Sequence, residues 1–143
     1  MSDIMKSYVQ KTSPKPHRKG KIIPNGVKLE PHEYETILFF TELGKDVELI
    51  PPSLTPGVHN ADFFMDKLIW EAKCPTGNST RMTIDRILHK AARQSENIVI
   101  DLRRTKLVDE QSIKQIEKRF ELSRRIRRLL VITKQEELID LRK

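Results

Sequence analysis

The stretch Asn60–Gly77, N-A-D-F-F-M-D-K-L-I-W-E-A-K-C-P-T-G, decides how the rest of the chain is read. Phe63, Phe64 and Met65 form the apolar body of a first strand, Asp66-Lys67 is the turn, and Leu68-Ile69-Trp70 opens a second strand. Aromatic and branched residues in runs this short, bounded by turn formers, favour strand over helix. The predicted hairpin carries charge where a buried strand should not. Asp62 enters the first strand, while Glu71 and Lys73 share one side of the second. Two carboxylates and an ammonium converging at the end of an apolar hairpin are costly unless a ligand uses them. The expectation is that they hold a divalent metal ion and a water. Alternation puts Trp70 in the core, and Asp66 is a turn residue rather than a ligand.

Upstream, Pro31 to Gly44 is predicted helical. Pro31 suits a first turn, Glu33 and Glu35 suit the positive helix start, and Gly44 suits the stop. Tyr34, Ile37, Leu38 and Thr41 mark one face, widened by Phe39, Phe40 and Leu43. Val47 to Ile50 is a strand ended by Pro51-Pro52, and a loop over 53–60 leads into the hairpin. Residues 1–29, with Ser13-Pro14-Lys15-Pro16-His17-Arg18-Lys19-Gly20, read as a flexible basic arm outside a folded domain of residues 30–143.

Downstream, Cys74 to Ser79 is a breaker-rich loop in which Asn78 or Ser79 caps the next helix. Ile84, Ile87, Leu88, Ala91 and Ala92 give the cleanest amphipathic pattern in the chain. Asn97 to Leu102 is a compact apolar strand. Strand, helix and strand in succession imply a right-handed crossover to a parallel neighbour. Asp109 is expected to cap a further helix with Ile113, Ile116 and Phe120 inward. Leu129–Thr133 and Leu138–Leu141 close the chain as a hairpin about Lys134-Gln135-Glu136. The fold class is therefore α/β, a mixed central sheet flanked by helices on both faces.

Composition narrows the function classes. With 143 residues the chain suits one domain with a real core. A single cysteine, Cys74, excludes an internal disulfide framework and a four-cysteine zinc site. No apolar run approaches the roughly 18 residues of a membrane span, and no h-region of a secretory signal is visible. The expected site of action is a reducing cytosol. The net charge of +7 is carried entirely by residues 71–143, since residues 1–70 hold nine Lys/Arg against nine Asp/Glu. A basic half downstream of a carboxylate cluster points to a polyanionic partner, nucleic acid first; a solvated basic surface is the plainer alternative.

The element order αβββαβ, with Asp62 in the second strand and Glu71-Ala72-Lys73 in the third, resembles the restriction-endonuclease-like PD-(D/E)xK nuclease superfamily, followed here by an αββ extension. Ala61 stands where the motif has proline. More narrowly, W-E-A-K-C-P-T-G-N-S followed by Q-S-E-N-I-V-I-D-L-R-R-T is similar to the C-terminal tRNA-cleaving toxin domains of contact-dependent growth inhibition (CdiA) proteins. The resemblance implies a metal-dependent ribonuclease cleaving tRNA, the tail of a larger secreted toxin not visible in this chain, neutralised by an immunity protein. It implies a divalent metal, Mg²⁺ first with Mn²⁺ or Zn²⁺ as alternatives, held by Asp62, Glu71 and the Ala72 carbonyl. Mg²⁺ independently suits such a site, because it takes one or two carboxylates and keeps several waters. Lys73 points the same way as Glu71 and orients or deprotonates the attacking water. Glu35 is the outer carboxylate, with Glu33 as its rival. Gln94 is placed facing the site by the same resemblance, or else is a surface amide.

Arg103, Arg104, Arg124, Arg125, Arg127 and Arg128 are candidates for phosphate contacts. The cluster Arg124–Arg128 is alternatively the face an acidic immunity protein covers, and Asp101 is alternatively a simple partner of Arg103 and Arg104. His59, Thr76 and Asn78 are accessory candidates, with His59 equally an exposed loop residue. Cys74 packs beside the site and His32 and His89 are structural. Three other readings compete. A metal-independent tRNase of the barnase/EndoU/colicin/RelE type would use His59, Lys73, Ser79, Thr80 and Arg103. A DNA nuclease would use the same metal site. A non-catalytic nucleic-acid-binding module would leave Glu71 and Lys73 incidental.

Overall fold

The computed structural model describes residues 5–11, 18–58, 60–76 and 81–143. The elements run β1 (Met5–Lys11), β2 (Ile22–Ile23), α1 (Pro31–Glu42), β3 (Val47–Leu49), β4 (Phe63–Met65), β5 (Leu68–Lys73), α2 (Arg81–Ala92), β6 (Asn97–Asp101), α3 (Asp109–Leu122), β7 (Arg128–Ile132) and β8 (Glu137–Arg142). From α1 onward this is the expected αβββαβ-αββ order. The strands form one eight-stranded sheet in the order β1-β8-β7-β6-β5-β4-β3-β2. β5, β6 and β7 are mutually parallel, joined through α2 and α3, and antiparallel pairs flank them on both sides.

Alternation along the central strands builds two cores. Ile98, Ile100, Leu129 and Val131 pack with Ile84, Leu88, Ile116 and Phe120 of α2 and α3. Val99, Leu130, Ile132, Phe63 and Trp70 pack with Ile37, Phe39 and Phe40 of α1. Every residue of β6 is buried, as befits a strand covered by helices on both faces. Trp70, Phe40 and Phe63 are the largest fully buried side chains, each contributing roughly 2–3 kcal/mol by burial. The β4–β5 turn has Asp66 and Lys67 both at positive φ, 52° and 66°, the backbone a two-residue hairpin needs to match strand twist. The indole Nε1 of Trp70 donates to the Met65 carbonyl at 2.9 Å and locks the hairpin from within.

Three expectations change. The N-terminal segment is not simply an arm: β1 lies antiparallel to β8, and β2 lies parallel to β3. Gly20 is pressed so close to Lys45 that a Cβ would sit 1.7 Å from its carbonyl oxygen, and its amide donates to the Thr41 carbonyl at 2.8 Å. Proline and lysine content concealed these strands because edge pairing needs little apolar periodicity. In α1, Tyr34 is exposed and Thr36 is buried instead, since the Thr36 hydroxyl meets a buried carboxylate. Asp109 is the first helical residue of α3 and does not cap it; Val108 holds the N-cap position, and the Asp109 carboxylate accepts the Lys134 amide at 2.9 Å. The predicted caps Asn78 and Ser79 lie outside the described residues.

Candidate active site

The parallel strands β5, β6 and β7 end together at Lys73, Asp101 and Ile132, and the predicted chemistry collects at this end. The β4–β5 ladder pairs Phe63 with Trp70 and continues as the Asp62 amide donates to the Trp70 carbonyl at 2.9 Å. Asp62 is thereby set opposite Glu71. Two like charges directly across a ladder oppose folding, and the local bonding answers them only in part. The Ala72 amide donates to Asp62 Oδ2 at 2.8 Å, and Lys73 Nζ lies 3.1 Å from Glu71 Oε2. Glu71 is 2 % exposed. Burial pushes the Asp62 carboxyl up to about 6; the Ala72 bond opposes this and the Glu71 charge adds to it.

Asp62, Ala72 and Lys73 line a cavity of about 420 Å³ together with Cys74, His32 and Glu33. Glu33, rather than Glu35, is therefore the α1 carboxylate that faces the cavity. Its carboxylate also accepts the Glu30 amide at 2.9 Å, closing the start of the helix. Glu35 is turned away, paired with Arg104. The helical spacing that put both acids in the first turn gave no means of choosing between them. His32 belongs to the cavity wall, which the sequence reading missed because a lone histidine on a helix carries no motif.

A second buried cluster stands beside the first. The Thr36 hydroxyl donates to Asp101 Oδ2 at 2.6 Å and lies 3.2 Å from Cys74 Sγ. Arg103 grips the same carboxylate through Nε and Nη2 at 3.0 and 2.9 Å. Burial by itself raises the Asp101 carboxyl, but the bonds from Arg103 and Thr36 hold it below the usual carboxylate range. Burial also pushes the Cys74 thiol up. Arg103 further stacks over Phe39 at 5.4 Å, and Arg104 reaches both Glu35 and Asp101. These two arginines are at the same sheet end as the cavity, although largely engaged.

The remaining candidates fall elsewhere. Gln94 does not face the cavity. It follows α2 at the opposite sheet end, where Ser95 Oγ and Asn97 Nδ2 both donate to the Ile69 carbonyl; the helix crosses the full strand length before reaching it. Arg124, Arg125 and Arg127 precede β7 and Arg128 opens it, so all four lie at that same far end. Arg128 is not an open phosphate contact: it pairs with the buried Asp140 at 2.9 Å and stacks over Trp70 at 5.3 Å. Arg124, Arg125 and Arg127 are exposed. Thr76 is exposed just past β5, whereas His59, Asn78, Ser79 and Thr80 lie outside the described residues. Among the described residues no group of three or more His, Cys, Asp and Glu side chains is placed to hold a metal ion.

The family model for the contact-dependent growth inhibition CdiA C-terminal domain matches residues 59–138, from the hairpin through the start of β8. The chain belongs to this family. CdiA C-terminal domains are toxin domains, generally nucleases, carried by larger secreted proteins that act in a target cell. The fold is that of a CdiA C-terminal toxin from Burkholderia pseudomallei solved in complex with its immunity protein. The match has TM-score 0.66 at 18 % identity, covering 87 % of this chain and 100 % of that one. No curated protein matches the chain. No helix among the described residues is long and apolar enough to cross a membrane.

Proposed function

We propose that this CdiA C-terminal domain is a metal-dependent ribonuclease of the PD-(D/E)xK type that cleaves tRNA phosphodiester bonds. The observation that carries the reading is Asp62 and Lys73 at the wall of an open cavity, with the buried Glu71 set behind them, opposite Asp62 and 3.1 Å from Lys73 Nζ. A partly buried carboxyl raised to about 6 opposite a second carboxylate weakens the unliganded fold above that pH, and such groups cluster at functional sites. A divalent cation offsets both charges at once. The donor set fits Mg²⁺, which takes oxygen ligands, needs few carboxylates and retains water: Asp62, Glu71 and the Ala72 carbonyl would hold it. When bound, such an ion neutralises charge on the phosphate oxygens and lowers the cost of ionising water.

The protein's own groups supply positioning. Lys73, oriented by Glu71, presents an ammonium that hydrogen-bonds the attacking water and faces the charge building on the phosphate. Glu33 adds an outer carboxylate that orders water at the α1 side of the cavity. Arg103 and Arg104, anchored through Asp101, give the same sheet end a fixed positive field for the RNA backbone. The domain acts in the cytoplasm of its target cell, and an immunity protein is its natural partner, as the solved complex of the structurally similar toxin suggests.

The test is cleavage of total tRNA and of a DNA duplex by wild type and Glu71→Ala, with Mg²⁺ and with EDTA. Cutting of tRNA by wild type only, and only with metal, is the expected result. Equal cutting in EDTA overturns the metal reading in favour of 2′-OH transesterification, and cutting of DNA alone overturns the substrate.

A further inference from the structure

A groove of about 550 Å³ runs between α2 and the turn after α3, at the sheet end remote from the cavity. Its base is closed by the buried Leu88 and Ile126, and its apolar surface is the half-buried Ala92 and Leu122, which stands at the lip with 64 % exposure. Its rim is basic, with Arg93, Arg119, Arg124 and Arg125 against the single carboxylate of Asp85. Asp85 is already committed: Arg119 clasps it at 2.8 and 2.6 Å, and Gln115 donates to it at 2.8 Å. That staple joins α2 to α3 and fixes one wall.

The other wall is equally well held. Ser123 Oγ accepts the amides of Arg125 and Ile126 at 3.2 and 3.1 Å. The Lys143 ammonium donates to the Ser123 carbonyl and lies 4.9 Å over the Phe120 ring. The Arg127 amide donates to the Glu96 carbonyl at 2.7 Å. A turn anchored at this many points holds Arg124 and Arg125 outward as a preformed feature, which lowers the ordering cost of binding.

We infer that this groove docks an acidic protein segment carrying an apolar anchor. A positive rim selects an acidic partner of either kind, protein or nucleic acid. The apolar lip separates them: a phosphate backbone has nothing to place over Leu122 and the half-buried Ala92, whereas a leucine or phenylalanine flanked by acids satisfies lip and rim together. The groove and the cavity lined by Asp62 and Lys73 are at opposite ends of β5, so the partner seated here leaves the cavity open. The surface is thus a second site, independent of the nuclease reading.

The test is fluorescence anisotropy with a fluorescein-labelled helical peptide carrying leucines at i and i+4 and glutamates elsewhere. A serine-for-leucine version and a single-stranded RNA of equal charge are the controls. The leucine peptide is expected to bind wild type, and to bind about tenfold more weakly to Arg124→Glu/Arg125→Glu and to Leu122→Ser. Circular dichroism confirms that both variants are folded; each variant tests the idea without the other. Equal binding of the serine peptide, or binding untouched by the substitutions, overturns the proposal. So does an RNA that binds wild type more tightly than the peptide and weakens on arginine reversal but not on Leu122→Ser, which would make the surface a phosphate track. No measurement here requires catalysis, so failure of the nuclease reading and failure of this one are separately visible.

Discussion

Replacing Asp62 by asparagine should make the metal-free protein more stable while abolishing its activity. The carboxyl is raised from 3.8 to about 6, chiefly by burial. At about 1.4 kcal/mol per pH unit, that interval converts to roughly 3 kcal/mol as an upper bound. The group is only partly buried, and solvent screening reduces the figure to about 1–2 kcal/mol. The sign follows from proton binding. Between 3.8 and about 6 the folded state holds a proton that the unfolded state releases, so this stabilisation is complete below 3.8 and is lost as pH rises through 6. An asparagine at this position would imitate the protonated form and still accept the Ala72 amide. In EDTA, Asp62→Asn should therefore match wild type near pH 4 and exceed it at pH 7.5, raising the midpoint of thermal unfolding by about 3–7 °C. Saturating Mg²⁺ should then stabilise wild type and leave the variant nearly unmoved. A variant no more stable than wild type at pH 7.5, or stabilised equally at both pH values, refutes the reasoning.

Three further outcomes can be checked. Glu71→Gln keeps the shape of a buried side chain but removes the charge that pairs with Lys73 and that, on the proposed reading, helps hold metal; tRNA cleavage, followed on denaturing gels, should fall by about 10²–10⁴-fold with the circular dichroism spectrum unchanged. Thr36→Val removes the hydroxyl that donates to Asp101 at 2.6 Å without changing side-chain volume, and urea unfolding at pH 7 should show a loss of about 1–2 kcal/mol. Arg128→Met takes one of two arginines from Asp140, which is 4 % exposed. It should cost about 2–4 kcal/mol in the same assay while leaving tRNA cleavage by the folded protein intact, because Arg128 lies at the sheet end away from the cavity.

The hairpin and the strands around it were legible because their signals are local: alternation at Phe63 to Trp70, and a two-residue turn between them. The parallel crossover through α2 was legible because an amphipathic helix between two apolar runs leaves few other connections. The co-location of Asp62, Glu71 and Lys73 follows from strand register alone. What could not be read depended on distant parts of the chain. Thr36 is buried because Asp101, far away in sequence, needs a donor, and no helical period reports that. The run Arg124–Arg128 looks like one basic cluster in sequence. It divides in space because β7 begins at Arg128 and turns that residue toward Trp70 and Asp140, while Arg124, Arg125 and Arg127 stay outside. The strand at residues 5–11 is an edge strand whose partner, β8, is the last in the chain, so nothing near it in sequence signals the pairing.

Asp62 and Asp101 are both partly or wholly buried acids at the same sheet end, and burial raises both; their outcomes are nonetheless opposite. Asp101 receives Thr36, the Arg103 guanidinium and the Arg103 amide, so its ionised form is favoured and its stabilisation is lost only as pH falls below 3.8. Asp140, clasped by Arg128 and Arg142, behaves in the same way. Asp62 receives one main-chain amide and faces Glu71, so its ionised form is penalised. A fold able to surround Asp101 with donors could have done the same for Asp62, at the cost of filling the positions around its free oxygen. Leaving that carboxylate under-satisfied reduces stability above pH 6 and keeps coordination sites open. On the metal-dependent reading proposed above, that penalty is what a bound cation would relieve, and the same reading takes Asp62, rather than the better-bonded Asp101, as the acid that works on a ligand.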